Sequence, residues 1–162
     1  GAFCRRRPAF HRGSRCHIDA YIPPSYIRNE AQKLEIYKRI SAIETEEEAM
    51  DMRDELMDRF GDMPRSVDNL LEIALIKAAA HQAYVTELSG NRQEVRLKMY
   101  EKAPFHVEKI PELVDRYKGA LKFTAAEQPY FTFADRKREI KEWGQMLERV
   151  KILLNAIKEL LV

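Results

Sequence analysis

The densest chemistry-bearing pattern in this 162-residue chain is acidic. From Glu44 to Asp62 stand nine acids (Glu44, Glu46, Glu47, Glu48, Asp51, Asp54, Glu55, Asp58, Asp62) against two bases, Arg53 and Arg59. Paired carboxylates do acid–base chemistry only where their environments push their proton affinities apart, and an exposed helix offers no such environment. Two readings remain: a solvated face with acids favoured near a helix N-terminus, or an acidic surface for a basic partner. A second pattern, Cys4, His11, Cys16 and His17, has the spacing C-x6-H-x4-C-H, which matches no structural zinc motif. A third is the basic run Arg136, Lys137, Arg138 and Lys141, which could meet phosphates. Asp135, Glu139 and Glu142 interrupt it, so a salt-bridged helix face is the simpler reading. A fourth is the aromatic set Phe123, Tyr130, Phe131 and Phe133. It could stack bases, but aromatics favour strands in any case, and within these two strands only Lys122 is cationic. The six glycines stand apart, so no glycine-rich loop can cradle a phosphate. No nucleophile elbow and no dinucleotide fingerprint occurs. On these grounds the chain is not an enzyme.

The elements that must position these residues follow from capping and period. Thr45 with Glu48 three residues on forms a capping box. Ala49, Met52, Leu56 and Phe60 form one apolar stripe, Gly61 supplies a left-handed stop, and Pro64 opens the next helix. Before it, Ile18–Pro24 is a short extended entry. Ser25 is expected to cap a helix whose inner side carries Ile27, Ala31, Leu34, Tyr37 or Ile36, and Ile40, and which ends near Ile43. After Pro64 a helix that is apolar nearly all round, from Val67 to Ala80, is expected to be central. The period then changes to two: strands over 85–88 and 94–100 flank a turn at Ser89–Arg92. A short helix is expected over 106–118, with Pro111 an alternative start. Strands over 121–124 and 130–133 follow. Asp135 then caps a last helix whose Ile140, Trp143, Leu147, Val150, Leu154, Ile157 and Leu161 make a heptad seam. The extra apolar Ile152, Leu153 and Leu160 favour burial in the monomer over a dimer seam. The fold class is therefore α+β: three helices in the N-terminal half, two β-hairpins forming a small antiparallel sheet with an intervening helix, and a long C-terminal helix.

Bulk composition agrees. A chain this long can bury about 70% of the surface its unfolded form exposes, and 45% hydrophobic with 33% charged residues describes a soluble globular protein. No apolar run approaches the roughly 18 residues of a membrane span, no signal-peptide h-region is present, and two cysteines suggest no disulfide framework, so a reducing cytoplasm is expected. Residues 1–17 hold five arginines and no acid and read as an arm or leader outside a single domain over 18–162. Without them 23 bases face 26 acids, a net of −3, which argues against a dedicated DNA-binding module.

Three segments in order, AYIPPSYIRNEAQKLEIYKRI, DELMDRFGDMP and NLLEIALIK, resemble the C-terminal (TRCF) domain of bacterial transcription-repair coupling factors. The likeness is strong from residue 19 to about 80 and looser over the later strands and the 136–148 helix. The resemblance implies a parent that is a cytoplasmic, ATP-dependent DNA translocase. It displaces stalled RNA polymerase and recruits the excision-repair damage-recognition ATPase. ATP and magnesium would act in the parent's motor and no cofactor in this fragment. The resemblance further implies a non-catalytic domain that docks on the parent's N-terminal repair-recruiting module and restrains the motor. The acidic helix is then the docking candidate, through Glu55, Asp58, Arg59 and Asp51. Asp58 and Arg59 have a competing role in fastening the turn to Pro64. A nucleic-acid accessory domain acting through Arg136, Lys137, Arg138 and Lys141 is the alternative.

Overall fold

The computed structural model describes residues 19–90, 93–135 and 143–161. The chain divides into two compact units, His17–Ala79 and Ala80–Val162, where the sequence alone suggests a single domain over 18–162.

The first unit is helical. Helix α1 spans Glu30–Ser41, α2 Glu46–Phe60 and α3 Arg65–Gln82, the last three residues of α3 falling in the second unit. The cap of α1 is Asn29, whose side chain accepts from the Gln32 N–H at 3.0 Å. Ser25 instead lies in a turn in which the Tyr26 and Ile27 N–H groups both donate to the Pro23 carbonyl. The inner side of α1 is correspondingly rotated. Ile36 and Ile40 are buried and Tyr37 is half-buried, but Ala31 is exposed and Leu34 is 60% exposed. Ile27 is buried from the preceding turn. The Tyr37 hydroxyl accepts from the Ile22 N–H at 2.7 Å, tying the extended entry to the helix.

Helix α2 begins with a capping box shifted by one residue on its return side. The Thr45 hydroxyl accepts from the Glu48 N–H at 3.2 Å, and the Glu48 carboxylate accepts from the Glu44 N–H at 2.7 Å, one residue before the cap. Ala49, Met52 and Leu56 are buried. Gly61 ends the helix at φ 85°, ψ −162°, positive as expected but outside the left-handed helical region. The Tyr26 hydroxyl lies 3.1 Å from the Leu56 carbonyl and 2.9 Å from that of Gly61, closing the last turn. The apolar cluster of this unit runs from Ile22 and Ile27 through Ile36, Ile40, Ile43, Ala49, Met52 and Leu56 to Val67 and Leu71 of α3.

The second unit is built on a four-stranded antiparallel sheet. Strands β1 (Val85–Gly90), β2 (Val95–Met99), β3 (Leu121–Thr124) and β4 (Tyr130–Phe133) lie in the order β1-β2-β4-β3. Strand β1 extends through Ser89 and Gly90, two residues past its expected end. A 3-10 turn at Val107–Lys109 leads into α4 (Ile110–Arg116), with Pro111 in the first helical turn, where its missing N–H costs nothing. Helix α5 is described over Trp143–Lys158. Asp135 accepts from Arg149 at 2.9 Å, and Ile140 of the expected seam lies outside the described residues. Leu147, Val150, Leu154 and Ile157 are buried within the single chain, as are Leu153 and Leu160, so the seam is spent in the monomer. Ile152, expected to widen the apolar stripe, is 59% exposed. The sheet has one buried face, made by Leu88, Val95, Leu97, Met99, Leu121, Phe131 and Phe133, and one polar face.

Candidate docking surface

Helix α2 divides its charges by direction. Successive helical residues turn about 100°, so Ala49, Met52 and Leu56 define the inner side and two flanks adjoin it. On one flank Glu55 meets Arg39 of α1. Arg39 Nη1 donates to Glu55 Oε1 at 2.8 Å, and Nη2 bonds the second oxygen, a fork-to-fork pair. Arg59, one turn on, donates to the same Glu55 Oε1 at 3.2 Å and lies 5.0 Å from the Phe60 ring centroid. The hydrogen bond from Arg39 holds the Glu55 carboxyl below its ordinary range, with the charges of Arg39 and Arg59 acting the same way against a smaller desolvation. On the other flank Arg53 donates to Asp68 at 3.0 Å and Glu72 at 2.7 Å, both on α3. Desolvation pulls the Arg53 guanidinium down, but the hydrogen bond and charge of Asp68, with Glu72, outweigh it and hold it above its usual value.

Both bases of the acidic helix are thereby drawn to its flanks. What remains outward is a stripe of carboxylates, Glu47, Asp51, Asp54 and Asp58, all exposed. None of the four has an ion-pair partner among the described residues. Beside them stand two methionines that the sequence reading passed over. Met50 is 61% and Met57 51% exposed, and they sit seven residues apart, about 10 Å along one side of the helix. The signal was present in the sequence, because 50 and 57 share a helical side that the 49-52-56 stripe excludes.

Of the four docking candidates, Asp51 and Asp58 lie on the outward stripe. Glu55 and Arg59 meet each other on the α1 flank, with Arg39 as a partner that sequence spacing could not reveal. The alternative contacts Arg136, Lys137, Arg138 and Lys141 lie outside the described residues, as do Cys4, His11, Cys16 and His17. Among the described residues no three His, Cys, Asp or Glu side chains gather as a metal site, and no helix is long and apolar enough to cross a membrane.

Comparison with known proteins gives a consistent set of likenesses. The family model described as TRCF domain matches residues 16–110. The transcription-repair-coupling factor of Staphylococcus haemolyticus is 44% identical over 87 residues, 54% of this chain and 7% of the relative. That of Bacillus subtilis is 37% identical over 102 residues, 62% of this chain and 9% of the relative. The chain thus spans less than a tenth of the length of these curated relatives. Among solved structures, one described as the C-terminal domain of transcription-repair coupling factor superposes with a TM-score of 0.69 at 28% identity. It covers 88% of this chain and 91% of its own.

Proposed function

The chain belongs to the TRCF domain family, and from that premise we propose that it is a non-catalytic regulatory domain. Its docking face is the outward side of α2. On this reading it binds the N-terminal repair-recruiting module of the same parent polypeptide and restrains the parent's motor until polymerase is engaged. The parent would be a cytoplasmic, ATP- and magnesium-dependent DNA translocase whose partners are DNA, stalled RNA polymerase and the excision-repair damage-recognition ATPase. This chain would contribute none of that chemistry.

The observation that carries the reading is the composition of the α2 face. A contact that must release on cue is better built from exposed carboxylates beside a small apolar strip than from a broad apolar patch. Met50 and Met57 supply adaptable apolar contact, and Asp51, Asp54 and Asp58 select a basic counterpart.

The test is binding in trans between this chain and the parent's N-terminal module, followed by calorimetry at moderate salt. Asp51→Lys with Asp54→Lys should weaken the complex at least 10-fold while leaving the circular dichroism and melting temperature of the free chain unchanged, because both residues are exposed. Failure of the unsubstituted chain to bind the module would sink the docking reading. Full affinity in the double variant would move the interface off α2.

A further inference from the structure

The net charge of the chain conceals a division. Residues 17–79 carry 14 acids against 8 bases, a net of −6; residues 80–162 carry 12 acids against 15 bases, a net of +3. Part of that positive charge lies on the polar face of the sheet, and the strand order decides which residues meet there. Read from sequence alone, β3 and β4 offer a single cation, Lys122. The order β1-β2-β4-β3 inserts β2 beside β4 and brings two more.

The register sets out two outward rows. One runs Ser89, Arg96, Thr132, Lys122, one residue from each strand, with no acid in it. Neighbouring strands lie about 4.8 Å apart, so Arg96 and Lys122 stand about 10 Å apart across the Thr132 hydroxyl. The other row runs Glu87, Lys98, Tyr130, Thr124. In it Glu87 is tied to Lys98 at 3.1 Å, which leaves Arg96 and Lys122 as the cations of these two rows with no ion pair to an acid among the described residues. The Arg96 guanidinium carbon sits over the Tyr130 ring, 4.5 Å from its centroid, joining the two rows by a cation–π pair. Arg96, Lys122, Ser89 and Thr124 are exposed, and Tyr130 and Thr132 are half-buried.

From this juxtaposition we infer that the polar face of the sheet binds single-stranded nucleic acid. The backbone phosphates lie along the Ser89–Arg96–Thr132–Lys122 row, and one base stacks on the Arg96–Tyr130 pair. Cations along one row give sequence-independent attraction to a phosphate backbone, and an aromatic or guanidinium plane gives a surface that any base can cover. An open four-stranded antiparallel face is a well-used platform for that combination. An acidic protein segment would use the same two cations but has no use for the Tyr130 ring beside Arg96, and this favours the nucleic acid. The inference concerns the 80–162 unit and stands independently of what docks on α2.

The experiment is fluorescence anisotropy of a short labelled oligothymidine titrated with the full chain. It is repeated in a version with Arg5, Arg6, Arg7, Arg12 and Arg15 replaced by serine, so that the charge of these arginines does not hide that of the sheet. In the serine version Arg96→Glu with Lys122→Glu should weaken binding at least 10-fold. The dependence of log affinity on log salt should fall by about 1.4, the equivalent of two lost phosphate contacts on a single strand. Tyr130→Leu should weaken binding about 5-fold or more, whereas Tyr130→Phe, which keeps the ring, should not. Unchanged affinity in the Arg96/Lys122 variant would overturn the proposal. So would a Tyr130→Leu variant of full affinity whose bound strand polyglutamate displaces as readily as a competing oligonucleotide does; that outcome would reassign the face to an acidic protein. Any variant is read only with a melting curve matching the parent chain.

Discussion

Glu55 sits on the α1 flank of α2, where Arg39 and Arg59 both reach it, so its first role is to hold two helices in register. Its folded carboxyl titrates below the ordinary value of 4.5, chiefly through the hydrogen bond from Arg39. A depressed acid contributes stability that is complete above its unfolded value and is lost as the pH falls through the folded one. Urea midpoints measured from pH 7 down to pH 3 should therefore show Glu55→Gln less stable than the parent chain at neutral pH. The expected difference is about 0.5–1 kcal/mol, modest because the pair is partly exposed. It should hold down to about 4.5 and close below that. A gap that stayed constant to pH 3 would mean that the carboxylate charge plays no part. The same geometry alters how Glu55→Lys would be read in a docking assay, since it places a third cation against Arg39 and Arg59. Asp51 and Asp54 carry the interface question without that complication. The sequence showed the acids of α2 but not their directions, because Arg39 and Glu55 are 16 residues apart and belong to different helices.

At the scale of elements, α2 was legible almost entirely, and α1 and the sheet were not. Thr45, the 49-52-56 stripe and Gly61 each act within four residues of their targets, so spacing alone finds them. Two substitutions measure how much those ends contribute. Thr45→Ala removes the acceptor for the Glu48 N–H and should cost about 1 kcal/mol in a denaturant melt. Gly61→Ala meets no atom within 4 Å, yet forces a Cβ onto a backbone at φ 85°, ψ −162°. It should cost about 1–3 kcal/mol through conformation alone, and a neutral result would show that the turn relaxes freely. At α1 the proline pair and Ser25 imitated a helix start. The actual competitor was a turn closed on the Pro23 carbonyl, which delays the helix to Asn29. That four-residue delay shifts the apolar face and leaves Leu34 exposed. For the strands, alternation and turns located the hairpins, and β3 and β4 match their expected bounds. The pairing of β2 with β4 is a contact across more than 30 residues that no local pattern encodes. It is also what places Arg96 over Tyr130.

On the scale of the whole molecule, the two units carry opposite net charge, and each presents a face of matching sign: carboxylates on α2, cations on the sheet. The two proposed faces belong to separate compact units and share no residue, so substitution of one should leave binding at the other unchanged. Charge reversals test this poorly, because each one also changes the field of the entire molecule. Charge-neutral substitutions avoid the problem. Met50→Ser with Met57→Ser removes the apolar strip of the α2 face, and Tyr130→Leu removes the ring of the sheet face, with no change in net charge in either case. The methionine pair should weaken binding of the N-terminal module about 10-fold and leave the oligothymidine isotherm where it was. Tyr130→Leu should do the reverse. The combined variant should show both losses, each within about 2-fold of its single-variant value. A methionine variant that also loses the single strand, or a Tyr130 variant that also loses the module, would mean that the two faces are coupled through the fold.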